Sequence, residues 1–426
     1  MSSEWRTTTL GAICEGQGGA IQTGPFGSQL HTSDYKELGI PVVMPTNIGE
    51  GGIDESGIAR IDNFDVERLS QHKLKMGDIV FSRRGDVTKN ALVRSHEVGW
   101  LCGTGCLKVR LGDETIAVAK FISHCLRLPE TKEWLIRHAV GATMPNLNTG
   151  ILSAVPINLP PLKAQLDIAA ILGALDDRIT LLRETTCTLE AIAQALFKSW
   201  FVDFDPVRDK AEGLEPKGLD AATASLFSDG FEESGGGLVP KGWLIGELQD
   251  LLVLQRGFDL PATKRTEGVY PLIAASGPSG THNIAMAKGP GVVTGRSGVL
   301  GKVFLTLEDY WPLNTTLWVK EFKRATPCYA YELLRLLDFS SFNAGSAVPT
   351  LNRNHIHGLQ YVLPPLELVH AYEAIAMAIH LRILENNRQA QTLTQLRDTL
   401  LPRLISGQLR LPETDTSIDN MLSEAV

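Results

Sequence analysis

Two long stretches of the chain keep one apolar position every three or four residues. In the first, the positions advance in alternating steps of four and three, and they are Ile168, Leu172, Leu175, Ile179, Leu182, Thr186, Leu189, Ala193, Leu196 and Trp200. In the second they are Tyr372, Ala376, Ile379, Ile383, Asn386, Ala390, Leu393, Arg397, Leu400 and Leu404. Such a narrow seam over several heptads is typical of a coiled coil. The pattern therefore predicts two long helices, each bracketed by prolines, that pack on each other.

The chain also repeats itself. Residues 141–162 and 345–366 align without a gap at an offset of 204, and both contain a Pro-x-Leu-Asn core and end in Leu-Pro-Pro-Leu. Upstream, Arg83-Arg84-Gly85 resembles Arg296-Ser297-Gly298. Short β-like runs between glycine-rich turns, followed by short helices, indicate an α+β unit. The repeat predicts two similar units, each followed by a long helix.

This organisation sets the expected domain boundaries. We expect an antiparallel helix pair forming a coiled coil, with the two mixed α/β units related by a pseudo-two-fold axis. The boundaries are 1–150 for the first unit, 151–200 for its helix, 201–241 for an acidic linker, 242–361 for the second unit, 362–410 for its helix and 411–426 for an acidic tail. The linker is rich in small residues, so we expect it to be exposed and partly flexible.

Composition and charge indicate the cellular compartment to expect and the kind of partner that the units suit. The formal net charge is −8, but residues 242–361 hold 11 basic against 9 acidic side chains, and residues 1–150 hold 16 against 17. Near-neutral units of this kind can carry local basic faces. The N-terminus has no apolar signal core, no uncharged stretch suits a membrane helix, and the six cysteines show no framework spacing, so we expect a reduced, cytoplasmic protein.

Two kinds of loop offer groups that suit DNA. Glycine loops occupy residues 22–29 in the first unit and residues 255–258 and 274–277 in the second, and Arg–Gly turns occupy residues 83–85 and 296–298. Glycine lets a backbone approach a ligand, and Arg, Gln, Ser and Thr donate to phosphates or base edges. The candidate DNA-binding residues are Gln22, Thr23, Gly24, Ser28, Gln29, Arg83, Arg84, Lys89, Arg256, Ser276, Arg296, Ser297 and Lys302. Any one of them could instead belong to a solvated turn, and Phe26 and Phe258 are expected to be core residues.

Signatures of catalysis are missing from the sequence. It contains no P-loop, no Asn- or Asp-Pro-Pro-aromatic tetrad of adenine methyltransferases, and no zinc-ligand spacing. The sequence favours binding over catalysis, and we expect no metal or cofactor in this chain.

At this point the chain resembles the specificity subunit of type I restriction-modification systems. The resemblance covers nearly the whole length and rests on the two-unit, two-helix layout and on local phrases. These are Gly24-Pro25-Phe26-Gly27-Ser28, Gly77-Asp78-Ile79-Val80-Phe81, both Leu-Pro-Pro-Leu entries, residues 197–207 (FKSWFVDFDPV) and residues 400–409 (LLPRLISGQL). Unit two departs from the pattern, with Gly289-Pro290-Gly291 where the family often keeps Gly-Asp.

The resemblance implies a non-catalytic recognition subunit. Each unit would be a target recognition domain that reads one half of a bipartite double-stranded DNA sequence, and the helix pair would set the gap. Two methyltransferase subunits would bring S-adenosylmethionine and catalytic residues, and ATP-driven restriction subunits would cleave. Two alternatives stay open: a coiled-coil adaptor without a DNA role, and a self-contained restriction enzyme.

Overall fold

The computed structural model describes residues 5–49, 52–141, 143–235, 237–342 and 350–411. They fold into two compact units. Unit 1 contains the described residues up to Leu181 together with those from Gln389 onward, and unit 2 runs from Leu182 to Arg388. None of the helices found among these residues is both long and apolar enough to cross a membrane.

The first part of the chain supplies the strands and short helices of unit 1. In order they are β1 (Arg6–Thr9), α1 (Leu10–Gly16), β2 (Gly18–Thr23), β3 (Ile40–Val43), β4 (Ala59–Ile61), α2 (Asn63–Arg68), β5 (Ile79–Ser82), β6 (Asn90–Leu92), β7 (Leu101–Cys102), β8 (Cys106–Gly112), α3 (Ala119–Cys125), α4 (Pro129–His138), α5 (Thr149–Ser153) and β9 (Pro156–Leu159). The long helix α6 (Leu162–Phe201) follows.

The elements of unit 2 follow in nearly the same order. They are α7 (Asp205–Ala211), α8 (Ala221–Ser225), β10 (Phe231–Ser234), β11 (Gly237–Pro240), β12 (Leu244–Glu247), α9 (Leu248–Leu251), β13 (Leu252–Arg256), β14 (Tyr270–Ala274), β15 (Gly277–His282), β16 (Gly291–Gly295), β17 (Val303–Thr306), β18 (Trp311–Pro312), β19 (Thr316–Phe322), α10 (Pro327–Arg335), α11 (Arg353–His357) and β20 (Gln360–Leu363), before the long helix α12 (Leu366–Ile405).

Strand pairing confirms the internal repeat. Unit 1 has a four-stranded sheet in the order β2-β8-β5-β6 and a three-stranded sheet in the order β4-β3-β7. Unit 2 repeats both, as β13-β19-β16-β17 and β15-β14-β18. In each three-stranded sheet the short last strand pairs parallel to the middle one. A two-stranded ribbon, β1-β9 or β12-β20, leads into each long helix.

The long helices form because their apolar seams have partners within each unit. In unit 1, Ile168 and Leu172 of α6 share one buried core with Leu401 and Leu404 of α12. Further along α6, Asp176 meets Arg397, so rising numbers on α6 face falling numbers on α12. The pair is thus an antiparallel coiled coil, and this prediction is confirmed.

In unit 2 the same two helices pack against each other through aromatic side chains. The Tyr372 hydroxyl of α12 donates to the Ala193 carbonyl of α6 at 3.3 Å. The rings of Phe197 and Trp200 lie 5.6 and 6.1 Å from that of Tyr372 and pack on it edge to face. Aromatic pairs in this arrangement stabilise a core beyond the apolar area that they bury.

The acidic segment 201–241 is folded rather than wholly exposed. It contains α7, α8 and the β10–β11 hairpin, and it buries Val207 and Phe227 in the core of unit 2. The helix before it stops because Phe204 takes a left-handed conformation, with φ of 57°, and Pro206 follows.

Candidate nucleic-acid interface

The glycine loops begin where the first strand of each four-stranded sheet ends. After β2, the Gly24 N–H donates to the Cys106 carbonyl of β8 at 2.9 Å. After β13, the Gly257 N–H donates to the Thr316 carbonyl of β19 at 3.0 Å. A Cβ on Gly24 would lie 2.0 Å from the Gly103 oxygen, and one on Gly257 would lie 2.2 Å from the Leu313 oxygen. These two glycines are therefore required by close approach of the chain to itself, and not by the approach of a ligand.

We expect Gly24→Ala to lower the free energy of unfolding of unit 1 by about 2 kcal/mol, because the new methyl group overlaps backbone that cannot retreat. Gly27→Ala, three residues on, is the matched control, since no atom of the described residues beyond its two chain neighbours lies within 4 Å of its Cβ position. Denaturant unfolding of both variants measures the difference. Equal midpoints for the two would contradict this account of Gly24.

The rest of the first glycine loop is held by its own side chains. The Gln29 side-chain oxygen accepts the Phe26 N–H at 3.1 Å, and the Gln29 N–H donates to the Phe26 carbonyl at 2.8 Å. Gln29 is thus engaged in the loop, whereas Gln22 and Ser28 are exposed and Thr23 is half-buried. Phe26 is 56% exposed, so the expectation of a core residue is wrong there.

The unit 2 counterparts differ in their surroundings. Phe258 is half-buried, with its ring centroid 6.0 Å from that of Trp318. Arg256 is exposed and pairs with Asp259 at 3.2 Å. Ser276 is exposed in the turn between β14 and β15.

Both Arg–Gly turns are fastened by the same two backbone contacts. The Arg83 N–H donates to Gly105 and the Arg296 N–H to Thr315, each at 2.8 Å. The Arg83 carbonyl accepts from Leu147 at 2.9 Å, and the Arg296 carbonyl accepts from Leu351 at 2.8 Å.

The spacing shared by the two copies of the Pro-x-Leu-Asn repeat has a structural reason. The backbone N–H of its leucine, Leu147 or Leu351, donates to the arginine carbonyl and holds the Arg–Gly turn in place. Its asparagine starts the next helix: the Asn148 side chain accepts the Ile151 N–H at 2.8 Å, and the Asn352 side chain accepts the Asn354 N–H at 3.0 Å.

The side chains of the turns are only partly available. In unit 1, Arg84 is exposed and Arg83 is half-buried, and the Arg83 Nε has no hydrogen-bond partner among the residues that the structure describes. Lys89 lines a cavity of about 290 Å³ with Arg127 and Lys132. In unit 2, Arg296 and Ser297 are half-buried and Lys302 is exposed.

One cavity brings two of the predicted residues together. It has a volume of about 870 Å³, lies in unit 2, and is lined by Arg256 and Arg296. Its lining also includes Asn352 and Arg353, which sequence reasoning did not single out, and excludes Ser276, Ser297 and Lys302. The repeat aligns Arg353 with Thr149 of unit 1, but this difference alone does not indicate a shared cavity.

Other basic side chains near the first sheet serve the fold. Lys108 is buried and its Nζ donates to the Gln71 carbonyl at 2.9 Å, and burial lowers the pKa of its ammonium group. Arg110 pairs with Asp78 at 2.6 Å, so the Gly77-Asp78 phrase anchors a strand. These charges are not free to hold DNA.

In the part of the chain that the structure describes, no three His, Cys, Asp or Glu residues are grouped so as to hold a metal ion.

Comparison with known proteins finds similar sequences among type I restriction enzyme specificity subunits. The family model described as the type I restriction modification DNA specificity domain matches residues 2–191. The type I restriction enzyme HindI specificity subunit of Haemophilus influenzae is 25% identical over 417 aligned positions, covering 81% of this chain and 89% of that protein. The MjaIX specificity subunit of Methanocaldococcus jannaschii is 22% identical over 323 positions, or 70% of each.

A solved structure agrees at the level of fold. The S subunit of a type I restriction-modification system from M. genitalium aligns with a TM-score of 0.59 and 15% identity, covering 97% of this chain and 98% of that one.

Proposed function

We propose that the chain is a specificity subunit of a type I restriction-modification system and that each of its units reads one half of a bipartite DNA target. One observation carries this proposal: the same fastened loops recur in two units of one topology. Gly24 and Gly257 anchor one loop, and Arg83 and Arg296 anchor the other. A fixed frame under variable exposed side chains suits sequence reading, because base contacts need positioned donors.

The remaining tasks belong to partners. Two methyltransferase subunits dock on this chain and supply S-adenosylmethionine and the catalytic residues, and ATP-dependent restriction subunits join them to cleave DNA. The assembled complex is then a DNA adenine methyltransferase and endonuclease, while this chain supplies recognition and the helix pair sets the spacing between half-sites. Its near-neutral units support this division, since the partners can hold much of the phosphate backbone.

A domain exchange tests the proposal. Residues 10–154 of this chain are replaced by those of another family member, which keeps the β1–β9 ribbon and α6 in place. Because each unit has its own sheets and core, we expect methylome sequencing to show one half of the methylated target changed and the other half retained.

The reciprocal exchange of residues 248–359, between β12 and β20, is the matched control and is expected to change only the other half. A change in both halves after either exchange would contradict independent readers. Absence of any sequence-selective shift of DNA by the assembled complex would favour the adaptor alternative.

A further inference from the structure

Three arginines converge on the 870 Å³ cavity of unit 2, which we call the arginine cavity. Arg256 comes from the end of β13, Arg296 from the turn after β16, and Arg353 from the start of α11. Among the described residues, neither Arg296 nor Arg353 has an ion-pair partner. Like charges that face one open cavity repel each other, so a bound anion relieves a cost that the empty cavity carries.

The second feature is a carboxylate that pairs with one of the three arginines. Asp259 contacts Arg256 at 3.2 and 3.3 Å and also accepts a hydrogen bond from Asn314. Asp259 therefore fixes the direction of one guanidinium and offsets one of the three charges. A net charge of about +2 remains, on side chains that come from three separate segments.

Unit 1 lacks this feature at the corresponding positions. The shared backbone bonds make Thr23 the counterpart of Arg256 and Arg83 the counterpart of Arg296, and the repeat offset makes Thr149 the counterpart of Arg353. One arginine in unit 1 thus stands where unit 2 has three. The fold is duplicated, but the charge is not.

We propose that the arginine cavity binds a phosphodiester group of the DNA backbone, so that unit 2 carries a salt-dependent contact that unit 1 does not repeat. The proposal rests on the DNA-reading function above. Guanidinium groups hold phosphate oxygens through paired, charge-assisted hydrogen bonds, and a cavity rather than a flat face suits a tetrahedral anion approached from several sides. Such a contact positions the DNA and carries no sequence information.

The test measures DNA binding by the full chain assembled with its methyltransferase subunits. Two duplexes of equal length are titrated over a range of salt concentrations, one with the methylated target sequence and one without it. For Arg353→Gln we expect binding to both duplexes to weaken on the order of 10-fold at physiological salt, with their affinity ratio unchanged. The slope of log K against log salt should fall by about 1.

Two further variants test whether the effect depends on the charge inside the cavity. Asp259→Asn removes the carboxylate while keeping its shape, and is expected to tighten binding to both duplexes and steepen the salt slope, because Arg256 then carries an uncompensated charge. Arg382→Gln removes one charge from the exposed face of α12 in the same unit, outside the cavity, and is expected to leave the slope unchanged.

Three results would overturn the proposal. An unchanged slope in Arg353→Gln and Arg256→Gln would show that the cavity does not face DNA. A loss confined to the target duplex would assign Arg353 to base reading. Competition by inorganic phosphate without any change in the DNA slope would make the cavity a site for a free anion. Failure of half-site reading is separate, since it appears as a wild-type complex that binds both duplexes equally.

Discussion

Asp176→Asn is expected to lower the free energy of unfolding of unit 1 by about 3 kcal/mol, because it removes the buried carboxylate that two guanidinium groups share, while Arg397 keeps its exposed partner Asp398. Asp176 of α6 accepts hydrogen bonds from Arg127 at 2.7 and 3.0 Å and from Arg397 of α12 at 2.8 Å. The three side chains are only 17%, 13% and 10% exposed. Solvent screening is therefore weak, and the amide cannot replace the charge.

Asp177→Asn is the matched control, since the neighbouring side chain is exposed and loses the same charge. Urea unfolding of the full chain, followed by far-UV circular dichroism, compares the two variants. We expect the unfolding curve to shift to lower urea concentration in Asp176→Asn alone. Equal shifts in both variants would show that the loss of net charge, and not the buried ion pairs, sets the stability.

The same contact explains a break in the sequence pattern. Arg397 interrupts the apolar seam of α12, and its partner lies 221 residues earlier in the chain. Periodicity shows that such a position differs from its neighbours, but it cannot show what a distant segment brings to it. The other break, Asn386, is also buried, and its side-chain amide has no hydrogen-bond partner among the described residues.

The larger features of the fold were predictable because they repeat. Heptads predicted both long helices, and the 204-residue offset predicted the duplicated topology. The segment 201–241 was harder to interpret, because its buried residues are few. Val207 and Phe227 lie in a short helix and a turn, too far apart to form a periodic signal. Its acidic composition reflects the exposed positions between them.

The candidate site was predictable only in part. The recurrence of the Arg–Gly turn in both halves predicted a shared feature, and the structure shows it as the same pair of backbone bonds. Composition could not separate Gln29, which holds its own loop, from the exposed Gln22. Arg353 was missed because its cavity is assembled from three segments, and only their packing brings the guanidinium groups together.

Removing one heptad from both long helices is expected to shorten the gap between the two methylated half-sites by about three base pairs. Seven helical residues span about 10.5 Å, and each base pair of duplex DNA spans about 3.4 Å. Deleting residues 182–188 from α6 and 381–387 from α12 removes one whole heptad from each helix. The remaining apolar positions of each seam therefore keep their spacing and still face each other. Methylome sequencing of a host that carries the shortened chain with the methyltransferase subunits proposed above measures the gap directly.

Deleting residues 182–188 alone is the informative control. The Asp176–Arg397 pair and the bond from Tyr372 to the Ala193 carbonyl lie on opposite sides of that cut, so one shortened helix cannot keep both contacts in register. We expect this variant to lose methylation, whereas the paired deletion keeps it with a new spacing. An unchanged gap in the paired deletion would show that the helices hold the chain together without setting the distance that it reads.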